Sequence, residues 1–274
     1  MGNHSTTNTK EGKVSMSTKT IQSDKFLVYP TQSELNATHP TRNAARVSGL
    51  LYLLVAITGI YAVMYVPGKL FVRGNSAATA NNILANQPLF RSYIVAWLVA
   101  EFFFIALALS LYRLLKGVNP QHAAVMLILA LLGAPLAYVS AMNRVATLAF
   151  VRGAEFLAVF DKPQQDSISM LFFNFEEQSI AVYMIFWGLW LIPLGMLVFR
   201  SGFLPRILGV WLIINGFTYE IVSFTGLLSP EHMQTVQNFV TPALLGEMAF
   251  TFWLLIVGAR VRVQTPAAAA PALS

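Results

Sequence analysis

The chain contains no cysteine and little charge. With no Cys among 274 residues, disulfides, thiolate nucleophiles, iron–sulfur clusters and Cys-ligated zinc are excluded. Charged residues make up 11% of the chain, against roughly 25% in an ordinary globular protein, too few to clothe a water-soluble fold of this size. The histidines, His4, His39, His122 and His232, lie in the first segment or at the edges of apolar runs, which leaves no paired intramembrane haem ligands and no His-rich metal centre. There is no His-Glu-x-x-His, no Gly-x-Ser-x-Gly elbow and no phosphate-binding loop, so no cofactor is expected. The formal net charge is +6, but the basic residues occur in ones and twos at block edges. That scatter gives no nucleic-acid footprint.

Apolar residues are abundant, at 56%, and they come in blocks. Residues 1–41 are rich in Ser, Thr, Asn and Lys and read as a disordered tail, within which Phe26 to Tyr29 is a small apolar island and Asn36-Ala37-Thr38 a chance sequon. Residues 263–274 form a second disordered tail of Ala and Pro. Between them, six runs are long enough to cross a hydrocarbon layer of about 30 Å at about 1.5 Å per residue: 47–66, 92–111, 123–142, 179–199, 207–228 and 239–257. The fold class is therefore all-α, a polytopic membrane helical bundle with six transmembrane helices spanning 42–262.

Lysine and arginine near span ends mark the cytoplasmic side. Arg42, Arg46, Arg113, Lys116, Arg200, Arg206, Arg260 and Arg262 fall on one side, whereas Lys69, Arg73, Arg91, Arg152 and Lys162 are spread over longer loops on the other. Both termini are thus expected in the cytoplasm. Of the far-side connections, Asn75 followed by "SAATANNILAN" predicts a capped interfacial helix. "QDSISMLFFNFEEQ" predicts that the fourth helix extends outward from about Ser167, leaving Glu176 and Glu177 near the headgroups. The lipid bilayer is the expected partner, with a membrane-protein partner or a second copy of the chain left open.

A charge inside a span is costly and by default faces other helices. Glu101 and Glu247 lie about ten residues from the outer ends of their spans, close to the midplane. Glu220 lies nearer the outer surface, and Asn143 and Arg144 at the outer end of the third span. Arg144 is expected to pair with Glu220, or else with Glu176 or Glu177. Two readings of the acids compete. In the first, they are hydrogen-bonded groups that fix helix packing, and the protein is a structural or regulatory membrane component. In the second, Glu101 and Glu247 face one another across a polar pocket that takes a proton, cation or small amine, and the protein is a small transporter or channel. An intramembrane enzyme is a third class.

Phe186 to Tyr219, "FWGLWLIPLGMLVFRSGFLPRILGVWLIINGFTY", together with "ARVSGLLYLLVAITGIY", "ALALSLYRLLK" and "GEMAFTFWLLIVGAR", resembles the bacterial membrane family catalogued as domain of unknown function 4386. The resemblance covers about Arg42 to Arg262. It implies a six-helix protein of a bacterial cell envelope and assigns no activity or catalytic residue. Within the block, "RSGFLPR" reads as a tight hairpin between two spans: Arg200 complements a helix C-terminus, Gly202 supplies left-handed geometry and Pro205 enters the next helix.

Overall fold

A computed structural model describes residues 1–2, 42–72 and 75–259. The expectations for the 1–41 tail with its apolar island and sequon, for the 263–274 tail, and for Arg73, Arg260 and Arg262 lie outside the described residues.

The helices belong to the unit Thr38–Ser274, and among the described residues there is no strand. Six are long and apolar enough to cross a membrane. Helix α1 runs Arg42–Leu70 and passes through a π-helical turn at Tyr61–Tyr65. The short α2, Ser76–Ala85, starts where Asn75 Oδ1 accepts the Ala78 N–H at 2.9 Å, the capped helix expected there. Then follow α3 (Gln87–Leu115), α4 (Pro120–Arg152), α5 (Lys162–Arg200), α6 (Arg206–Leu228) and α7 (Met233–Phe252), the last continued by a π-helical turn at Trp253–Val257.

Two helices are longer than expected. Helix α4 continues past residue 142 to Arg152, where Gly153 at φ 63° ends it, so Asn143 and Arg144 lie within a helix rather than at its end. Helix α5 starts at Lys162, ahead of Ser167. Asp161 and Gln164 close a reciprocal capping box there, and two orphan N–H groups of the first turn find partners.

In lipid the hydrophobic effect does not drive helices together, so close approach and hydrogen bonds must. The α5–α6 hairpin shows the first. Gly188 and Gly195, two turns apart on α5, face Gly216 and Gly209, two turns apart on α6. A Cβ on Gly195 would sit 2.6 Å from the Gly209 carbonyl oxygen, and one on Gly188 2.7 Å from that of Gly216. The backbones touch, and the glycines of the "WGLWLIPLG…RILG" block are what allow it. The connecting turn places Gly202 at φ 72°, Ser201 Oγ accepts the Leu204 N–H at 3.2 Å, and Pro205 precedes rather than enters α6.

Helices α1 and α7 close the bundle on the same side as that turn's arginines. Arg42 Nε donates to the Val257 carbonyl and Arg46 Nη2 to that of Ile256, both at 3.2 Å, and Gly49 lies against the Leu254–Leu255 backbone. Two buried apolar clusters stack along the bundle. One, around Leu107, Leu194 and Leu254, fills this half; the other, around Phe90, Tyr93 and Tyr183, fills the far half. Trp187 packs against both.

Candidate functional site

The junction of the two clusters is hollow. A cavity of about 280 Å³ opens between α1, α3, α5, α6 and α7, and both Glu101 and Glu247 line it. Glu101 is the central residue of the 29-residue α3, while Glu247 sits about 15 Å along α7 from Val257, at ~1.5 Å per residue. Each is buried, 3% and 7% exposed, and each is held on one oxygen. Tyr183 on α5 donates to Glu101 Oε2 at 2.9 Å. Tyr52 on α1 donates to Glu247 Oε2, with Trp187 Nε1 at a longer 3.4 Å, and the Tyr219 hydroxyl on α6 is a further hydrogen-bond partner of the Glu247 carboxylate. The other oxygen of each carboxylate, Oε1, is buried without a hydrogen-bond partner within 3.5 Å among the described residues, a costly arrangement inside a protein. Among the described residues, no Lys, Arg or His lines the cavity.

The walls differ from the polar pocket expected. They are aromatic and aliphatic: Trp97, Trp187 and Tyr219, with Met184, Met248 and Val55 between them. Their rings are packed against one another, Phe104 stacking on Trp187 with centroids 4.7 Å apart and Trp97 meeting Tyr183 edge-on at 6.0 Å. Such packing fixes the rotamers of the groups that hold the two acids.

Arg144 lies behind this wall. It has no accessible surface, and its Nε meets Glu176 Oε1 at 2.6 Å, where the Tyr93 hydroxyl also donates at 2.5 Å. Its guanidinium carbon is 3.9 Å from the centre of the Tyr93 ring and 4.2 Å from that of Trp97. Of the pairings expected for Arg144, then, the structure forms the one with Glu176. Glu176 is itself buried, 1% exposed, and α5 turns it toward Tyr93 on α3 and Arg144 on α4. Glu177 is exposed on the opposite side of α5.

Glu220 is not brought to Arg144 or to the cavity. Its carboxylate covers Gly188, where an added Cβ would come within 2.5 Å of Oε1. Asn143 is half-buried on α4 and also outside the cavity; its backbone carbonyl accepts the Thr147 hydroxyl at 2.9 Å. Of the candidate residues Glu101, Glu247, Glu220, Arg144 and Asn143, the structure joins the first two.

Sequence reasoning missed the tyrosines and tryptophans that complete the site. Their signal was weak, because Tyr52, Trp97 and Tyr183 lie about one turn inside the ends of their apolar runs, where Trp and Tyr ordinarily collect.

Among known proteins, the chain is similar to a protein of Archaeoglobus fulgidus described as "Uncharacterized protein". The two are 36% identical over 87 residues, 30% of this chain and 49% of the relative, so the chain spans about half the length of that protein. No solved structure matches. The family described as "Domain of unknown function (DUF4386)" matches residues 47–258, which cover most of the chain and all of the cavity residues, and the chain belongs to that family.

Proposed function

We propose that the protein is a small membrane transporter or channel whose cargo is cationic, with Glu101 and Glu247 as its counter-charges. One observation carries this reading: two buried carboxylates share a cavity and, among the described residues, each keeps an oxygen without a partner and no cationic side chain joins the lining. An ionised carboxylate at this depth is costly, and a cation or proton entering the cavity offsets that cost. The test is uptake into proteoliposomes under an imposed proton gradient. Glu101→Gln and Glu247→Gln should each abolish cation-dependent flux while the protein still reconstitutes; undiminished flux in both would refute the proposal.

A structural or regulatory role has its own support, since Tyr183–Glu101 ties α5 to α3 and Tyr52–Glu247 ties α1 to α7. Under that reading the Gln variants lose stability and no transport is detected. For an enzyme the lining offers little: the Thr251 hydroxyl donates to the Glu247 carbonyl at 2.8 Å rather than facing a base.

The arginines at Arg42, Arg46, Arg113, Arg200 and Arg206 further support a cytoplasmic location for both termini, in the cell membrane.

A further inference from the structure

We infer that the cargo is an organic cation with an apolar body, an ammonium bearing alkyl or aryl groups, and that it reaches Glu101 and Glu247 from the bilayer through a gap between α1 and α7. This rests on the reading of the two acids as counter-charges and deepens it by naming the ligand class and its route.

The walls argue for the class. A small inorganic cation needs a shell of oxygen ligands, six or more for calcium and a near-octahedral set for magnesium. Here two carboxylates and a few tyrosine hydroxyls stand in an otherwise apolar lining. Aromatic faces and thioethers are what an alkylated ammonium prefers: ring quadrupoles attract the charge, methionine adapts to irregular apolar shapes, and a carboxylate supplies the counter-ion. Trp97, Trp187 and Tyr219 with Met184 and Met248 provide the first two, and the unpartnered oxygens of Glu101 and Glu247 the third. The cavity, about 280 Å³, lies at the lower edge of the ~300–1,000 Å³ typical of small-molecule sites, so the body is compact.

The rim argues for the route. Ile60 and Val63 line the cavity yet are 52% and 53% exposed. They lie in the far half of α1, inside the outer boundary of the 47–66 apolar span. Gly59, on the same rim, faces open space: a Cβ there meets nothing within 4 Å. From Glu247 onward helix α7 is held against α1, through Tyr52, Gly49, Arg46 and Arg42. Its preceding turns are open, with Phe239 and Leu245 largely exposed. The mouth is adjoined by the π-helical turn Tyr61–Tyr65, a local irregularity of the kind that recurs at functional sites.

The test uses the full chain in lipid nanodiscs, with protein-free nanodiscs subtracted for partitioning, and reads quenching of the cavity tryptophans. Four probes are titrated: benzyltrimethylammonium, its neutral isostere neopentylbenzene, tetramethylammonium and sodium. The proposal expects benzyltrimethylammonium to bind at least about tenfold more tightly than tetramethylammonium or sodium, given the worth of ring and apolar contacts. It expects neopentylbenzene to bind weakly, and Glu101→Gln or Glu247→Gln to lose the preference for charge. Val63→Trp, which plugs the mouth, should slow binding without lowering the melting temperature.

If sodium or tetramethylammonium binds as well as benzyltrimethylammonium and the Gln variants abolish binding, the ligand class is wrong while the counter-charge reading stands. If the neutral and charged probes bind alike and the Gln variants change nothing, both fail. No saturable binding of any probe at millimolar concentration also overturns the inference, and an unaltered on-rate in Val63→Trp overturns the route.

Discussion

A guanidinium with no accessible surface lies between two rings and against one carboxylate inside the bundle. Arg144 and Glu176 are each held by what the other offers, so removing one partner strands a buried charge. Arg144→Met or Glu176→Leu alone should destabilise by about 3–5 kcal/mol, while the two together should recover most of that loss; a double-mutant cycle by chemical denaturation in micelles checks it. A loss in the double variant equal to the sum of the two single losses would show that the pair is not coupled. Gly59 behaves in the opposite way. With open space beside it, Gly59→Ala should leave stability unchanged or slightly raised, since Ala is the better helix former by roughly 0.8–1.0 kcal/mol. Because it narrows the cavity, the same change should weaken binding of a bulky cation, read in one titration. At this scale the sequence revealed the acids and the arginine, because charge in an apolar run is conspicuous. It concealed their partners. Whether Arg144 meets Glu176 or Glu220 depends on how far α4 and α5 extend and how they rotate, and neither is written in local composition.

The element that defines the fold most sharply is the α5–α6 hairpin. Its glycines stand in two facing pairs, Gly188 with Gly216 and Gly195 with Gly209, at a separation where a methyl group would overlap a carbonyl oxygen. Gly195→Val or Gly209→Val should therefore force the helices apart at a cost of about 1–3 kcal/mol or more, seen as a lower melting temperature in detergent; a native value would refute the close approach. The glycines were visible in the sequence as part of the family block, and the turn between them was legible residue by residue from Arg200, Gly202 and Pro205. The close contact itself was not legible, since it needs both helices in register. The two π-helical turns were likewise hidden: Tyr61–Tyr65 and Trp253–Val257 look like ordinary apolar helix in composition. The start of α5 shows how local chemistry can correct a hydropathy reading. Asp161 and Gln164 are a capping box that starts the helix ahead of the apolar run.

For the whole molecule, hydropathy and length sufficed to find six spans, because each must separately satisfy its backbone within the bilayer. The lateral arrangement, with α1 closing against α7 and a cavity left where two apolar clusters meet, follows from contacts between residues far apart in the chain. The absence of native cysteine makes the topology directly testable. Gly117→Cys, in the turn after α3, and Glu231→Cys, in the turn before α7, should lie on opposite sides. A membrane-impermeant maleimide applied to intact cells should label the second and spare the first. Equal labelling of both would contradict the bundle order, and the reverse pattern would invert the orientation.

The most direct measurement of the central claim is the melting temperature of the purified wild type, Glu101→Gln and Glu247→Gln, each with and without benzyltrimethylammonium. If the acids are counter-charges for a cation, the Gln variants melt at or above the wild type, since a buried unpartnered oxygen has been neutralised. The ligand at 100 times its dissociation constant then stabilises only the wild type, by about 2.7 kcal/mol. Gln variants that melt well below the wild type, with no response to the cation in any of the three proteins, would contradict the account and leave the two acids as packing groups.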